Sequence, residues 1–185
     1  MDTKEMILSA ARKVAQAHGY GGLNFRDLAA EVGIKAASIH YHFPGKADLG
    51  AAVARRYWQD TATDLEEMGS KLPDAAACLR RYPTIFRRSL ENGNRICLCS
   101  FMAAEYADLP EVVKNEVENF ANINVSWLSK TLVVAGLTDL DKIERRARAI
   151  FAAISGAQLL ARSRADISLF DEIVSSYRET GFLPG

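Results

Sequence analysis

Proline is scarce in this chain, five in 185 residues, and so are cysteine, with three, and long uninterrupted apolar runs. Each shortage excludes something. Few prolines and no sustained β-branched alternation argue against a strand-rich or extended Pro-rich chain, which leaves helix as the default. Three cysteines, Cys78, Cys97 and Cys99, are odd in number and too few for the disulfide framework of a small secreted domain. A reducing, cytoplasmic location is the expectation. No apolar stretch is long enough to span a bilayer. The opening MDTKEMILSAARKVAQ is charged and helical, which is not the pattern of a secretory signal. Net charge is missing as well, with 23 Lys and Arg against 23 Asp and Glu, so the whole chain does not advertise a polyanionic partner.

What is present is a globular composition, 49% hydrophobic and 25% charged. Its charge is unevenly spread. Residues 1–56 hold eight Lys and Arg against five Asp and Glu, the remainder fifteen against eighteen, and all three histidines (His18, His40, His42) lie in the basic part. That asymmetry points to an N-terminal surface facing phosphates.

The periodicity is helical nearly throughout. Ile7, Ala11, Val14 and His18 form one stripe of a first helix, which Asp2 or Thr3 caps and Gly19 stops. Tyr20-Gly21-Gly22 form a turn. Asn24 is placed to cap a second helix whose apolar face is Phe25, Leu28, Ala29 and Val32, closed by Gly33. A third, short helix over about 35–43 buries Ile39 and Phe43, and Pro44-Gly45 ends it. Lys46 opens a fourth helix to about Met68. Further helices are expected from Pro73 to about Leu90, from Ser100 to Ala107, from Pro110 to about Ala135, and over about 139–163 and 167–180. The charge balance shifts near the start of the fourth helix. The expected division is therefore 1–46, a helix-turn-helix domain, and 47–185, a helical domain.

Two short helices joined by Glu31-Val32-Gly33-Ile34 have the form of a helix-turn-helix, in which the first helix braces a second that enters the major groove. The second must be small-sided where it meets base edges, and here that end is Lys35-Ala36-Ala37-Ser38. Lys35 can reach a base or a phosphate. Ser38, Tyr41 and His42 can donate to phosphate oxygens. Lys46 adds a cation to the free N–H groups opening the fourth helix, and Asn24 and Arg26 are placed for the neighbouring phosphate. His40 and His42, two positions apart, point to different faces and have no third ligand at usable spacing, so no metal or cofactor is expected.

Residues 24–49, NFRDLAAEVGIKAASIHYHFPGKADL, resemble the DNA-binding signature of tetracycline-repressor-type (TetR) regulators. The likeness runs through a helix of the R-D-[IL]-A type, then A-x-x-[AV]-G-[VI], then [LI]-[YH]-[YH]-[YH]-F-x-x-K-x-x-L. Lys35 stands where the family often has Ser or Thr, Ala37 where it often has Gly, and His40 where Tyr is usual. The operator preference is expected to be set at these three positions. The resemblance implies an all-α fold with an N-terminal three-helix DNA-binding domain and a C-terminal domain for effector binding and dimerisation. It implies a homodimeric regulator of double-stranded operator DNA, usually a repressor, whose last two helices form the dimer interface. The stretch Ile150–Leu160, apolar on nearly every side, suits such burial.

Two sensing chemistries are open for the C-terminal part. Cys97 and Cys99 precede a short helix near Arg95, and a helix N-terminus and a cation both favour thiolate, so an oxidant or electrophile could shift the dimer off DNA. Alternatively a small effector binds a pocket lined by Phe101, Met102, Glu105, Tyr106, Phe120, Asn124 and Trp127. A reading of a different class, a helical enzyme with a Cys97 or Cys99 nucleophile, needs a base. All three histidines lie far along the chain from those cysteines.

Overall fold

Residues 2–137 and 140–184 are described by a computed structural model, and among them there is no β-strand. Ten helices carry the described chain: α1 (Thr3–His18), α2 (Phe25–Val32), α3 (Ala36–His42), α4 (Lys46–Lys71), α5 (Ala75–Arg81), α6 (Thr84–Glu91), α7 (Leu98–Ala104), α8 (Glu111–Val134), α9 (Ile143–Ser163) and α10 (Ile167–Glu179). Single 3₁₀ turns at Tyr106–Asp108 and Leu140–Lys142 precede α8 and α9.

The helix ends follow local chemistry. Asn24 accepts the N–H groups of Arg26 and Asp27 on its side-chain oxygen and so satisfies two of the donors that a helix start leaves open. Gly33 closes α2 with φ 76°, a left-handed conformation that Gly takes without a Cβ penalty. Asp74 and Asp166 cap α5 and α10 in the manner of Asn24. Three expected boundaries are corrected. The stretch from Pro73 to Leu90 is two helices, because Pro83 has no N–H to return to Leu79 and its ring crowds that carbonyl. The helix expected from Ser100 begins at Leu98 and ends at Ala104, which puts Cys99 inside its first turn. The helix expected over about 139–163 begins at Ile143, with Asp139 outside the described residues, whereas α10 begins at Ile167 as expected.

The described chain packs as two compact units. One comprises Met1–Gln59 and Cys97–Phe120, the other Asp60–Ile96 and Ala121–Gly185. In the first, α1 packs on α2, α3 and α7. Its core holds Ile7, Ala11, Leu28, Ile39, Leu49, Tyr57, Leu98, Met102 and Phe120. His18 is exposed, so the stripe of α1 that enters the core is Ile7, Leu8, Ala11 and Ala15. In the second, α9 packs against α6 and α10. Tyr82 is fully buried there, stacks on Trp127 (ring centroids 5.6 Å) and donates to Asn124 Oδ1 at 2.9 Å. Gln158, also fully buried, donates to the Phe86 carbonyl at 2.6 Å. The 150–160 stretch of α9 is not covered on every side within the chain. Ile150, Ile154 and Ala157 are buried, whereas Ala152, Gly156, Leu159 and Leu160 are exposed.

Candidate nucleic-acid interface

The first three helices give α3 an exposed N-terminal face by burying its opposite side. Ile39 is fully buried and Phe43 nearly so, with the Lys4 ammonium 5.9 Å from the Phe43 ring centroid. With that side fixed, Lys35, Ala36, Ala37, His40 and Tyr41 are exposed, and Ser38 and His42 are half-buried. Tyr41 is 85% exposed, an unusual environment for a large ring in a chain with ample core. His40 is braced from below: its ring lies 4.7 Å from that of Phe25, and its Nδ1 is 3.4 Å from the Pro44 carbonyl oxygen. Arg26 stands exposed on the first turn of α2. This places small side chains at the start of a short helix and polar or cationic ones around them, the arrangement that lets a backbone approach base edges.

Two of the expected contact residues are already engaged within the protein. Asn24 accepts two backbone N–H groups as the cap of α2. The Lys46 ammonium donates to the Gly21 carbonyl at 2.9 Å and sits 4.8 Å from the Tyr20 ring centroid. The free N–H groups expected to make a phosphate seat beside Lys46 are partly taken too, since Gly45 N–H donates to Asp48 Oδ2 at 2.9 Å. An aspartate three residues on supplies from within the negative charge that a helix N-terminus attracts.

Between α1 and α2, the turn Gly19–Leu23 is held from several directions. The Glu105 carboxylate accepts Tyr20 N–H (2.6 Å) and Gly21 N–H (3.1 Å). Gly50 of α4 leaves room for the Tyr20 ring, which a Cβ there would meet at 2.6 Å. Glu105 thus holds two backbone amides of the turn, a role that the sequence pattern did not assign to it. The available signal was the run Gly19-Tyr20-Gly21-Gly22, whose open backbone can present consecutive amides to an acid.

The other sensing candidates divide between the two units. Cys97, Cys99, Phe101, Met102, Glu105, Tyr106 and Phe120 belong to the first, Asn124 and Trp127 to the second. Cys97, Cys99, Met102, Phe120 and Asn124 are buried, Phe101, Glu105 and Trp127 half-buried, and Tyr106 exposed. At the start of α7 both sulfurs are buried, which opposes the thiolate expected there. Burial pushes both thiols up, Cys99 well up, and hydrogen bonds from Ser100 and Tyr57 draw Cys97 only partly back. A nucleophile or a redox sensor needs thiolate character and access, and burial works against both at these two sulfurs. Beside them, Tyr57 is buried under the Arg12 guanidinium (4.7 Å from its ring centroid), and Glu116 receives Arg55 (2.5 and 2.9 Å) and the Trp58 indole N–H (2.7 Å).

Residues 7–53 match the profile of the bacterial regulatory proteins of the tetR family. Along its whole length the chain is similar to a TetR transcriptional regulator from Legionella pneumophila, 30% identical over 97% of each chain with a TM-score of 0.91. It is similar also to a TetR-family transcriptional regulator from Agrobacterium tumefaciens, 29% identical over 96% of each chain with a TM-score of 0.88. Similarity to the HTH-type transcriptional regulator LmrA of Bacillus subtilis reaches 43% over 44 residues, a match that spans 24% of this chain and 23% of that protein. None of the described helices is long and apolar enough to cross a membrane. With its all-helical fold, its helix-turn-helix and full-length likeness to a family member, the chain belongs to the tetR family of DNA-binding transcriptional regulators.

Proposed function

We propose that this protein is a cytoplasmic, homodimeric repressor that reads a two-fold operator through α3 and releases it when a small effector binds. In this reading residues 1–46 contact DNA and residues 47–185 carry effector binding and dimerisation. The observation that carries it is the exposed N-terminal face of α3, Lys35-Ala36-Ala37, held outward by the buried Ile39 and Phe43. Lys35, Ala37 and His40 read base edges, while Arg26, Ser38, Tyr41 and His42 hold phosphates. Asn24 and Lys46 act at the same surface by fixing the α1–α2 turn and the start of α2. The exposed Ala152, Gly156, Leu159 and Leu160 of α9 support dimerisation, because small residues permit close helix packing and the leucines supply apolar area. The polar anchors Glu105 and Asn124 are hydrogen-bonded internally, so an effector that uses either has to replace those bonds with its own.

The test is selection of duplexes from a randomised pool, followed by affinity measurements on the enriched sequence at several salt concentrations. An enriched palindrome bound with a steep salt dependence supports the reading. Failure to enrich any sequence refutes it.

A further inference from the structure

Glu105 ends α7 and reaches across 85 positions of sequence to the turn between α1 and α2. Two successive backbone amides aimed at one carboxylate form an anion-binding nest, and bonds to a charged acceptor are the stronger kind. Helix electrostatics do not explain an acid at this place. The turn follows the C-terminal end of α1, where the helix dipole disfavours negative charge. The backbone is adapted to the acid: Gly19 has φ 69°, and a Cβ built on it would run into the Glu105 carboxylate. On leaving the turn the chain passes directly into Asn24, which caps α2, and Phe25, whose ring supports His40 of α3. The element that supplies the acid is a seven-residue helix, too short to hold its position through its own hydrogen bonds. Its position is set by what packs on it, including α1.

We propose that Glu105 is the positioning residue through which α7 governs the DNA-reading helices. With both hydrogen bonds made, the turn holds α2 and α3 in the DNA-competent arrangement; a shift of α7 that withdraws the carboxylate releases them. The proposal rests on the operator-binding reading above and adds the point at which a signal enters it.

The experiment compares full-length wild type, Glu105→Ala and Glu105→Gln on the duplex that wild type selects from a randomised pool. Amide hydrogen exchange and melting temperature are measured alongside affinity. In Glu105→Ala, exchange at Tyr20 and Gly21 accelerates and DNA affinity falls by about tenfold or more, since two charge-assisted hydrogen bonds are lost in each protomer and one alone is worth about that factor. Glu105→Gln keeps one acceptor oxygen and falls between the two. Exchange in α10 and the Tm stay near wild type. Linkage adds a reciprocal sign: DNA slows exchange at Tyr20 and Gly21 in wild type and does not in Glu105→Ala. Unchanged affinity or unchanged Tyr20 and Gly21 exchange in Glu105→Ala overturns the proposal. So does a loss of affinity that comes only with lost protection in α10 and a lower Tm. If Glu105→Ala does not fold, the same criteria apply to Glu105→Gln. Failure of wild type itself to select a duplex refutes the operator-binding reading, and the latch with it, and is distinguished by the wild-type arm alone.

Discussion

Replacing Arg26 with alanine tests whether its side chain holds a phosphate or supports the fold. Arg26 is exposed on the first turn of α2, and its backbone N–H, not its guanidinium, is what the Asn24 cap holds. Truncation therefore leaves the helix intact and removes one cation per protomer, two per dimer. Each neutralised phosphate contributes about 0.9 to the slope of log affinity against log salt, so the variant's slope is shallower by about 1.8. Between 50 and 200 mM salt, the wild-type advantage over Arg26→Ala shrinks by about twelvefold. Fluorescence anisotropy on a labelled operator duplex, titrated at four or more salt concentrations, resolves a change of that size. Lys46→Ala is the control. Its ammonium is committed to the Gly21 carbonyl and the Tyr20 ring, so its loss lowers affinity by nearly the same factor at every salt concentration. A ratio for Arg26→Ala that does not move with salt refutes the assignment of Arg26 to phosphate. A slope change for Lys46→Ala as large as that for Arg26→Ala refutes the distinction between the two.

Ile39→Ala deletes a fully buried side chain of α3 and costs about 2–5 kcal/mol, against about 0.5–1.5 for Ile39→Val; hydrogen exchange over α1–α3 with and without operator measures both, and DNA binding follows head stability although no contact residue has changed. At Glu116, burial raises the carboxyl, but hydrogen bonds from Arg55 and Trp58 outweigh it and hold the group below the usual carboxylate range. A folded value below the unfolded one means that the stabilisation is complete above about pH 4.5 and is lost as pH falls through the folded value. Glu116→Gln therefore lowers Tm near pH 7 and makes the decline below about pH 4.5 shallower, which a series of melts across pH 3–7 reads directly. Cys78, Cys97 and Cys99 are buried with their thiols raised, so an aromatic disulfide reagent finds no fast-reacting thiol in the native protein and titrates all three in denaturant. A stoichiometric burst from Cys97 or Cys99 in the native state would instead mark a reactive thiol fit for sensing.

The DNA-reading head was legible because its signals are local. Asn24 as a cap, Gly33 as a left-handed stop, Pro44-Gly45 as a terminator and the i, i+3, i+4, i+7 apolar face of α2 each act within a few residues of themselves. The break between α5 and α6 was less legible, because apolar periodicity continues through Ile85 and Phe86 and a proline is also a good first residue of a helix. The start of α7 was missed because Cys97 and Leu98 are buried apolar residues and offer no capping side chain to recognise.

Chemistry that depends on distant partners was the least legible, for one physical reason. Helix-end electrostatics point Lys46 to phosphate and Cys97 and Cys99 to thiolate, and an acid among aromatic residues makes Glu105 a polar anchor of a ligand pocket. Tertiary packing supplies other partners. Asp48 answers the α4 N-terminus, the Gly21 carbonyl takes Lys46, burial suppresses the thiols, and two amides 84 and 85 positions away take Glu105. Desolvation and hydrogen bonding to fixed backbone groups act at contact distance, whereas dipole and surface-charge preferences are worth tenths of a kcal/mol to about 1. Where the two compete, the contacts decide. Glu105 is the instructive case, because an acid among aromatic neighbours suits a ligand pocket, whereas its carboxylate here holds the backbone of the turn. An acid that carries a turn into the operator-reading helices makes the operator-competent state depend on where α7 sits.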